Sequence, residues 1–261
     1  MPVSKLILDH NAVIHPQWPV PKQVKAIITT RAGGVSPPPW SSFNLATHVG
    51  DSELNVRQNR QKLQSYWGND LRAQWLNQTH STQVVEFSGG NNTELVGDAD
   101  AIFTRSEKRI CAVLTADCLP VLLCDAGATT VAACHAGWRG LGAGILENTL
   151  DEFTVPREDI LAFLGPAIGP KYFQIGEDVL EYFSQNGQKL DYKKIFSPSL
   201  HARGKFFMDI YEAARQILNN QGLKQVYGGD FCTYRESEQF YSYRRDKACG
   251  RMASCIWLDR Q

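Results

Sequence analysis

Three stretches of the 261-residue chain end an apolar run on a side chain able to hold a metal ion or attack an electrophile. They are WLNQTHSTQVV around His80, AVLTADCLPVLLCD around Cys118 and VAACHAGWRGLGAG around His135. In each, a polar group interrupts what would otherwise be core, and burying it unpaired costs about 1–3 kcal/mol. A shared cation would offset that cost. Two imidazoles and a thiolate suit zinc, and they leave the fourth tetrahedral position for water or substrate, as in catalytic rather than structural sites. Spacing alone does not bring the three together, because structural zinc sites declare themselves by CxxC-type pairs and the chain has none. Plainer readings stay open at this level: a strand histidine bonded to a backbone carbonyl, and an inert buried thiol. So does a metal-free chemistry in which Cys118 is a thiolate nucleophile and His135 its base.

Further polar residues border these stretches. After His135 the run GWRGLGAG leads into a predicted helix over 144–153, where free backbone N–H groups and Arg139 would stabilise a phosphate or other anion. Tight helix–sheet packing explains the glycines equally well. Arg31, at the lip of the Pro-rich loop AGGVSPPPW, and Asn44 form a second candidate for binding a polar substrate. Asp98 and Asp100 in VGDADAIF and Asp117 beside Cys118 are placed to orient a histidine or to move protons, with Asp98 and Asp117 taken as the acid–base candidates. A turn or cap role is the commoner fate of such aspartates. Near the C-terminus, FCTYRESEQFYSYRRDKACGRM interleaves tyrosines with arginines, a mixture that can stack on a planar ring or line an edge strand.

The elements that must carry these residues are short. Strands are predicted at 25–31, 83–87, 101–104, 110–115, 121–124 and 130–135, from β-branched and apolar runs between Gly- or Asp-marked breaks. Helices are predicted at 144–153, 176–185 and 209–221, the last opened by a capping-box-like Asp209 and Glu212. Elements clustered without regular βαβ alternation favour an α+β fold of mixed sheets with helices outside. Residues 1–24, with three prolines in PQWPVPK, read as a lead-in to a single domain over 25–261.

Composition limits the partners. The 27 Lys+Arg balance 27 Asp+Glu, so there is no excess of cations to grip a nucleic-acid backbone or an anionic membrane. No apolar run is long enough to span a bilayer, and no signal-peptide core is visible. Seven cysteines, odd in number, are expected as reduced thiols of a cytoplasmic protein, and a monomer is expected.

Taken together, TRAGGVS with FNLATHVGD, QTHSTQVV, GDADAIFT, TADCLPVLLCD, AACHAGWRG, LGPAIGP and FYSYRRD…GRMAS resemble the bacterial YfiH-type, or laccase-domain, proteins from about residue 25 to the end. The resemblance implies a sandwich of mixed β-sheets flanked by helices in α/β/β/α layers, with His80, Cys118 and His135 as a zinc site. It also implies phosphorolysis of purine nucleosides (adenosine, inosine and the methylthio derivative of adenosine) together with adenosine deamination. Where many relatives carry a cysteine after GPAIGP and another three residues beyond the CT motif, this chain has KYFQIG and Arg235. The family's older name, polyphenol oxidase, fits poorly. A four-copper oxidase needs about ten histidines, whereas six isolated ones are present, although copper can displace zinc on the same three ligands. Outside enzymes, the alternative is an interaction module that the metal merely staples.

Overall fold

Cys118 lies where the chain leaves one sheet and enters another, between two apolar runs, Arg109–Thr115 and Leu119–Asp125, that are buried almost throughout. Such continuous apolar strands need cover on both faces. In the computed structural model, which describes residues 7–9, 12–68, 70–89, 95–185 and 189–259, that cover is complete. The elements are β1 (Ile7–Asp9), β2 (Val13–His15), β3 (Val24–Thr29), α1 (Glu53–Gln64), β4 (Arg72–Asn77), β5 (Val84–Glu86), β6 (Leu95–Asp98), β7 (Ala101–Thr104), β8 (Arg109–Thr115), β9 (Leu119–Asp125) and β10 (Val131–Ala136). They continue with α2 (Trp138–Ala143), α3 (Ile145–Asp151), β11 (Ile160–Leu164), β12 (Gln174–Gly176), α4 (Glu177–Gln185), α5 (Tyr192–Ile195), β13 (Phe196–Pro198), β14 (Lys205–Met208), α6 (Ile210–Asn220), β15 (Gln225–Gly228), α7 (Tyr243–Asp246) and β16 (Met252–Leu258).

Two mixed sheets stack. One runs β1-β2-β3-β16-β8-β4-β6, the other β15-β11-β9-β10-β7-β5, and a small sheet, β12-β14-β13, stands beside them. β4 pairs in parallel with β8 and β6, β5 with β7, and β11 with β15; the other pairs are antiparallel. Strand alternation sorts the core into three layers. Cys111, Val113 and Ile256 of the first sheet meet Leu122, Cys124, Ala133 and Phe163 of the second in the seam between them. Leu119, Val121, Leu123 and Leu164 point the other way, onto Leu146 and Leu150 of α3 and Ala214 and Ile217 of α6. On the far side, Ile110, Ala112 and Cys255 pack against Leu63 of α1 and against Phe43 and Leu45, which follow the Pro-rich loop. The fold is α+β, a mixed-sheet sandwich with helical cover on both sides.

The predicted strands are found with ends shifted by no more than two residues, as are helices α3, α4 and α6. Asp209 caps α6, accepting from Glu212 N at 3.0 Å. Two regions differ from expectation. The GWRGLGAG run is itself helical, forming α2, with Gly144 (φ +102) separating it from α3. Within the stretch read as a lead-in, β1 and β2 extend the first sheet as an antiparallel hairpin against β3.

Candidate metal centre

The site lies at one edge of the sandwich. Register sets His135 beside Pro120 and Met252 beside Thr115, so the end of β10, the β8–β9 turn and the start of β16 come to the same edge. Here His80, Cys118 and His135 meet: one ligand-capable atom from each lies within 4.8 Å of the other two. One of the three, and the neighbour of a second, are held in unusual backbone. His80 has φ +60 and Asp117, which aims Cys118, has φ +91; non-glycine residues occupy this region only when surroundings enforce it.

Two carboxylates do the enforcing. Buried Asp100 accepts from Thr79 N (3.1 Å), His80 N (3.0 Å), Ser81 N (2.6 Å) and Ser81 Oγ (2.8 Å), which folds the β4–β5 loop around one side chain. It also takes Nδ1–H of His135 at 2.7 Å, while its own backbone carbonyl accepts from His135 N. That bond fixes the tautomer and leaves His135 Nε2 for the cluster. Asp117 accepts from Thr233 Oγ1 and from Arg244 N, both at 2.6 Å, and its carbonyl accepts from Ile168 N.

The electrostatics follow from this packing. Burial alone would push the Cys118 thiol up, but the facing His135 and His80 outweigh it and bring its pKa down to about 6, so it is a thiolate at neutral pH. Burial would likewise lower His135, yet the Cys118 thiolate and Asp100 raise it. Burial pushes Asp100 up, and the His135 and Ser81 bonds override it to bring the carboxyl to about 2.

The donor set and spacing fit a soft-to-borderline divalent ion. Tetrahedral zinc, with Zn–N near 2.0 Å and Zn–S near 2.3 Å, sets N and S about 3.5 Å apart, and His80 Nε2 lies 3.6 Å from Cys118 Sγ. A glycine makes that approach possible. A Cβ on Gly137 would sit 2.7 Å from His80 Cδ2 and 3.2 Å from Cys118 Sγ. Gly137 has φ −62 and ψ 155, open to any residue, so its backbone does not call for glycine and the space does.

The other expected site residues are differently placed. The acid–base work expected of Asp98 and Asp117 meets bonded carboxylates: Asp98 is exposed at the end of β6 and accepts from Asn77 Nδ2 at 2.6 Å, while Asp117 is committed to Thr233 and Arg244. Asp100 is the aspartate under the cluster. Arg31 donates to the carbonyls of Ser41 and Ser237 and lies over Tyr241. Asn44 is buried, donating to Ala46 O and Asp51 and accepting from Ala46 N and Arg251 N. Both hold the Pro-rich loop rather than present free donors. Arg139 is exposed and stacks on Trp138. At the points of departure from relatives, Cys232 Sγ accepts from Gly169 N and Arg235 N beside a cavity of about 340 Å³, and Arg235 is ion-paired with Glu236. Asp100 orients His135, one of the two roles its position suggested, whereas Ser81, Gly137 and Thr233 are the contributors that residue type and spacing do not single out.

A sandwich of mixed sheets with a His–Cys–His cluster at its edge defines the laccase-like class. The chain belongs to the family described as multi-copper polyphenol oxidoreductase laccase, whose model matches residues 25–259. It is 48% identical over 247 residues to a Haemophilus influenzae protein named purine nucleoside phosphorylase, covering 94% of this chain and 99% of that protein. The Escherichia coli purine nucleoside phosphorylase YfiH is also 48% identical, with 95% and 99% covered. A crystal structure of a Neisseria meningitidis protein superposes with a TM-score of 0.88 at 46% identity, over 95% of this chain and 99% of that one. The Bacillus licheniformis YfiH structure does so with 0.90 at 29% identity, over 97% and 98%. Among the described residues no helix is long and apolar enough to cross a membrane.

Proposed function

We propose that the chain is a zinc-dependent purine nucleoside phosphorylase acting on adenosine, inosine and methylthioadenosine, with adenosine deaminase activity at the same centre. The convergence of His80, Cys118 and His135 around a spacing suited to zinc carries the reading, and the names of relatives matching nearly the whole chain support it. The three side chains are the metal ligands, and copper on the same set is the alternative occupant. Zinc held there would supply Lewis acidity and activate water near neutral pH.

The rest is the work of the chain's own groups. Asp100 keeps Nδ1 of His135 protonated and its Nε2 free for the ligand set. The Cys118 thiolate would cancel one charge of a divalent ion and the two neutral imidazoles none, which would leave the centre electrophilic. In phosphorolysis a phosphate oxygen forms a bond to C1′ as the C1′–N9 bond breaks, with the electron pair passing to the purine, which is then protonated. The reaction asks for a cation near the phosphate; exposed Arg139, two residues beyond Gly137, is our candidate, whereas Arg31 and Asn44 are committed to the loop. Asp98 bonds Asn77, and Asp117 bonds Thr233 and Arg244, so either gives up a bond to move a proton, while Asp100 is committed to the β4–β5 loop and His135 and acts by positioning.

The test pairs metal analysis of the purified protein with chromatography of adenosine and inosine turnover, with and without phosphate. Expected are near-stoichiometric zinc, phosphate-dependent release of free base, and loss of activity in Cys118→Ala with the fold intact. Retained activity in that variant sinks the assignment. One observation favours a second reading: Cys118, His135 and Asp100 form a Cys–His–Asp series with a thiolate at neutral pH, the arrangement of a cysteine hydrolase. Chelation separates the two, since a thiol enzyme keeps its activity without metal. A protein that merely uses the metal as a staple unfolds on chelation and turns nothing over.

A further inference from the structure

Tyr243 stands apart from the other aromatic residues. It is 53% exposed, no hydrogen bond to its hydroxyl is found among the described residues, and it is the only aromatic ring among the large exposed apolar side chains there. It is also fixed. It opens α7, where Ser242 caps the helix by accepting from Arg245 N, and the Arg245 guanidinium donates to the carbonyls of Thr233, Tyr234 and Phe240. The next residue's N–H is bound to Asp117 at 2.6 Å. Summing bond lengths through that contact, Tyr243 Cα lies within about 14 Å of Cys118 Cα, a span that a nucleoside and the two side chains can fill.

Two cations border the ring. Arg251 Cζ and Lys247 Nζ each lie over it, 5.8 Å from its centroid and at the outer range of cation–π contact, and they leave it 53% exposed. Arg251 is itself pinned to the carbonyls of Cys249 and Gly250. A held, half-exposed aromatic ring beside a pinned guanidinium offers what a planar heterocycle rich in acceptor nitrogens requires: stacking from the ring, and hydrogen bonds from the guanidinium edge.

We propose that Tyr243, flanked by Arg251 and Lys247, is the platform on which the purine base of the substrate stacks. This rests on the phosphorylase reading for the identity of the ligand, and it assigns a residue that determines substrate affinity while leaving the metal ligands untouched.

The experiment compares wild type, Tyr243→Ala and Tyr243→Trp, each metal-loaded, by calorimetric binding of adenosine and inosine and by steady-state kinetics. Tyr243→Ala is expected to raise Kd and KM by about tenfold, in line with one lost base–aromatic stack, with kcat, metal content and thermal midpoint unchanged. Tyr243→Trp is expected to keep wild-type affinity. Equal Kd in wild type and Tyr243→Ala overturns the proposal, as does a Trp variant as weak as the Ala variant. The two readings fail separately: tyrosine-dependent binding without phosphorolysis removes the activity and keeps the platform, and unchanged KM in an active Tyr243→Ala enzyme does the reverse.

Discussion

Replacing Gly137 by alanine tests whether the site's geometry rests on a missing atom. The backbone there accepts any residue, so strain in φ and ψ is not introduced. The added Cβ falls 2.7 Å from His80 Cδ2, where ordinary contact begins at 3.4 Å, and 3.2 Å from Cys118 Sγ. The imidazole must therefore retreat by about 0.7 Å, well beyond the roughly 0.2 Å latitude of a metal–ligand bond. Displacing a ligand in this way should weaken metal binding at least as much as losing an outer partner does, about 10- to 100-fold or roughly 1.4–2.7 kcal/mol. The metal-free fold should change little, because alanine lowers the entropy of the unfolded chain by about 0.4–1 kcal/mol and offsets the local crowding. Competition with a chromophoric chelator gives the affinity, and the sulfur-to-metal absorption of the cobalt-substituted protein reports the coordination. Wild-type affinity with an unaltered cobalt spectrum in Gly137→Ala would refute the reasoning.

Other perturbations have equally definite outcomes. Asp100→Asn keeps the shape but replaces an acceptor oxygen with a donor; it should cut metal affinity about 10- to 100-fold and cost about 1.5–3 kcal/mol in thermal unfolding. Tyr211→Phe strips the hydroxyl that accepts from Ala167 N at 2.6 Å and donates within the buried Gly165 and Phe231 carbonyl group, so denaturant unfolding should register a loss of about 1–3 kcal/mol. Asp51 is pushed up by burial, yet its bonds from Ser36, Asn44, Asn55 and Ser52 N hold its pKa below the usual 3.8. A lowered folded-state value means stability that is present in full above 3.8 and is lost as pH falls below it. Asp51→Asn should therefore flatten the decline of the melting temperature in that acid range, and an unchanged decline would assign it to other carboxylates.

Much of the frame is legible in the chain because it depends on local pattern. β7, β8, β9 and β10 are runs of buried residues, and α6 carries both its cap and its apolar stripe in sequence. Helix α1 hides because its face is narrow and partly polar: only Val56, Asn59 and Leu63 are buried, and Asn59 is there to bond Ser36 Oγ and the carbonyls of Ser42 and Asn44. No periodicity argument counts an asparagine as core. The glycines of GWRGLGAG suggest a loop by propensity, yet Gly140 and Gly142 are helical, and glycine stands there because a Cβ would come within 2.9 Å of Ser81 O and of Tyr182. Packing overrides propensity there.

The candidate site divides along the same line. Residue type singles out His80, Cys118 and His135, since few other roles place those groups at the end of an apolar strand. What positions them is a set of long-range relations without a local signature. Asp98 and Asp100 are near-identical in the sequence, and only the parallel pairing of β4 with β6 and of β5 with β7 turns the second beneath His135 and leaves the first bonded to Asn77 at the surface. Asp117 likewise gains its meaning from Thr233 and Arg244, more than a hundred residues away. Each carboxylate organises a strained turn through backbone N–H and hydroxyl donors. The geometry of the cluster is thus fixed by residues that need never touch the ion, and substitutions at Asp100 or Asp117 should resemble ligand loss more than loss of an acid.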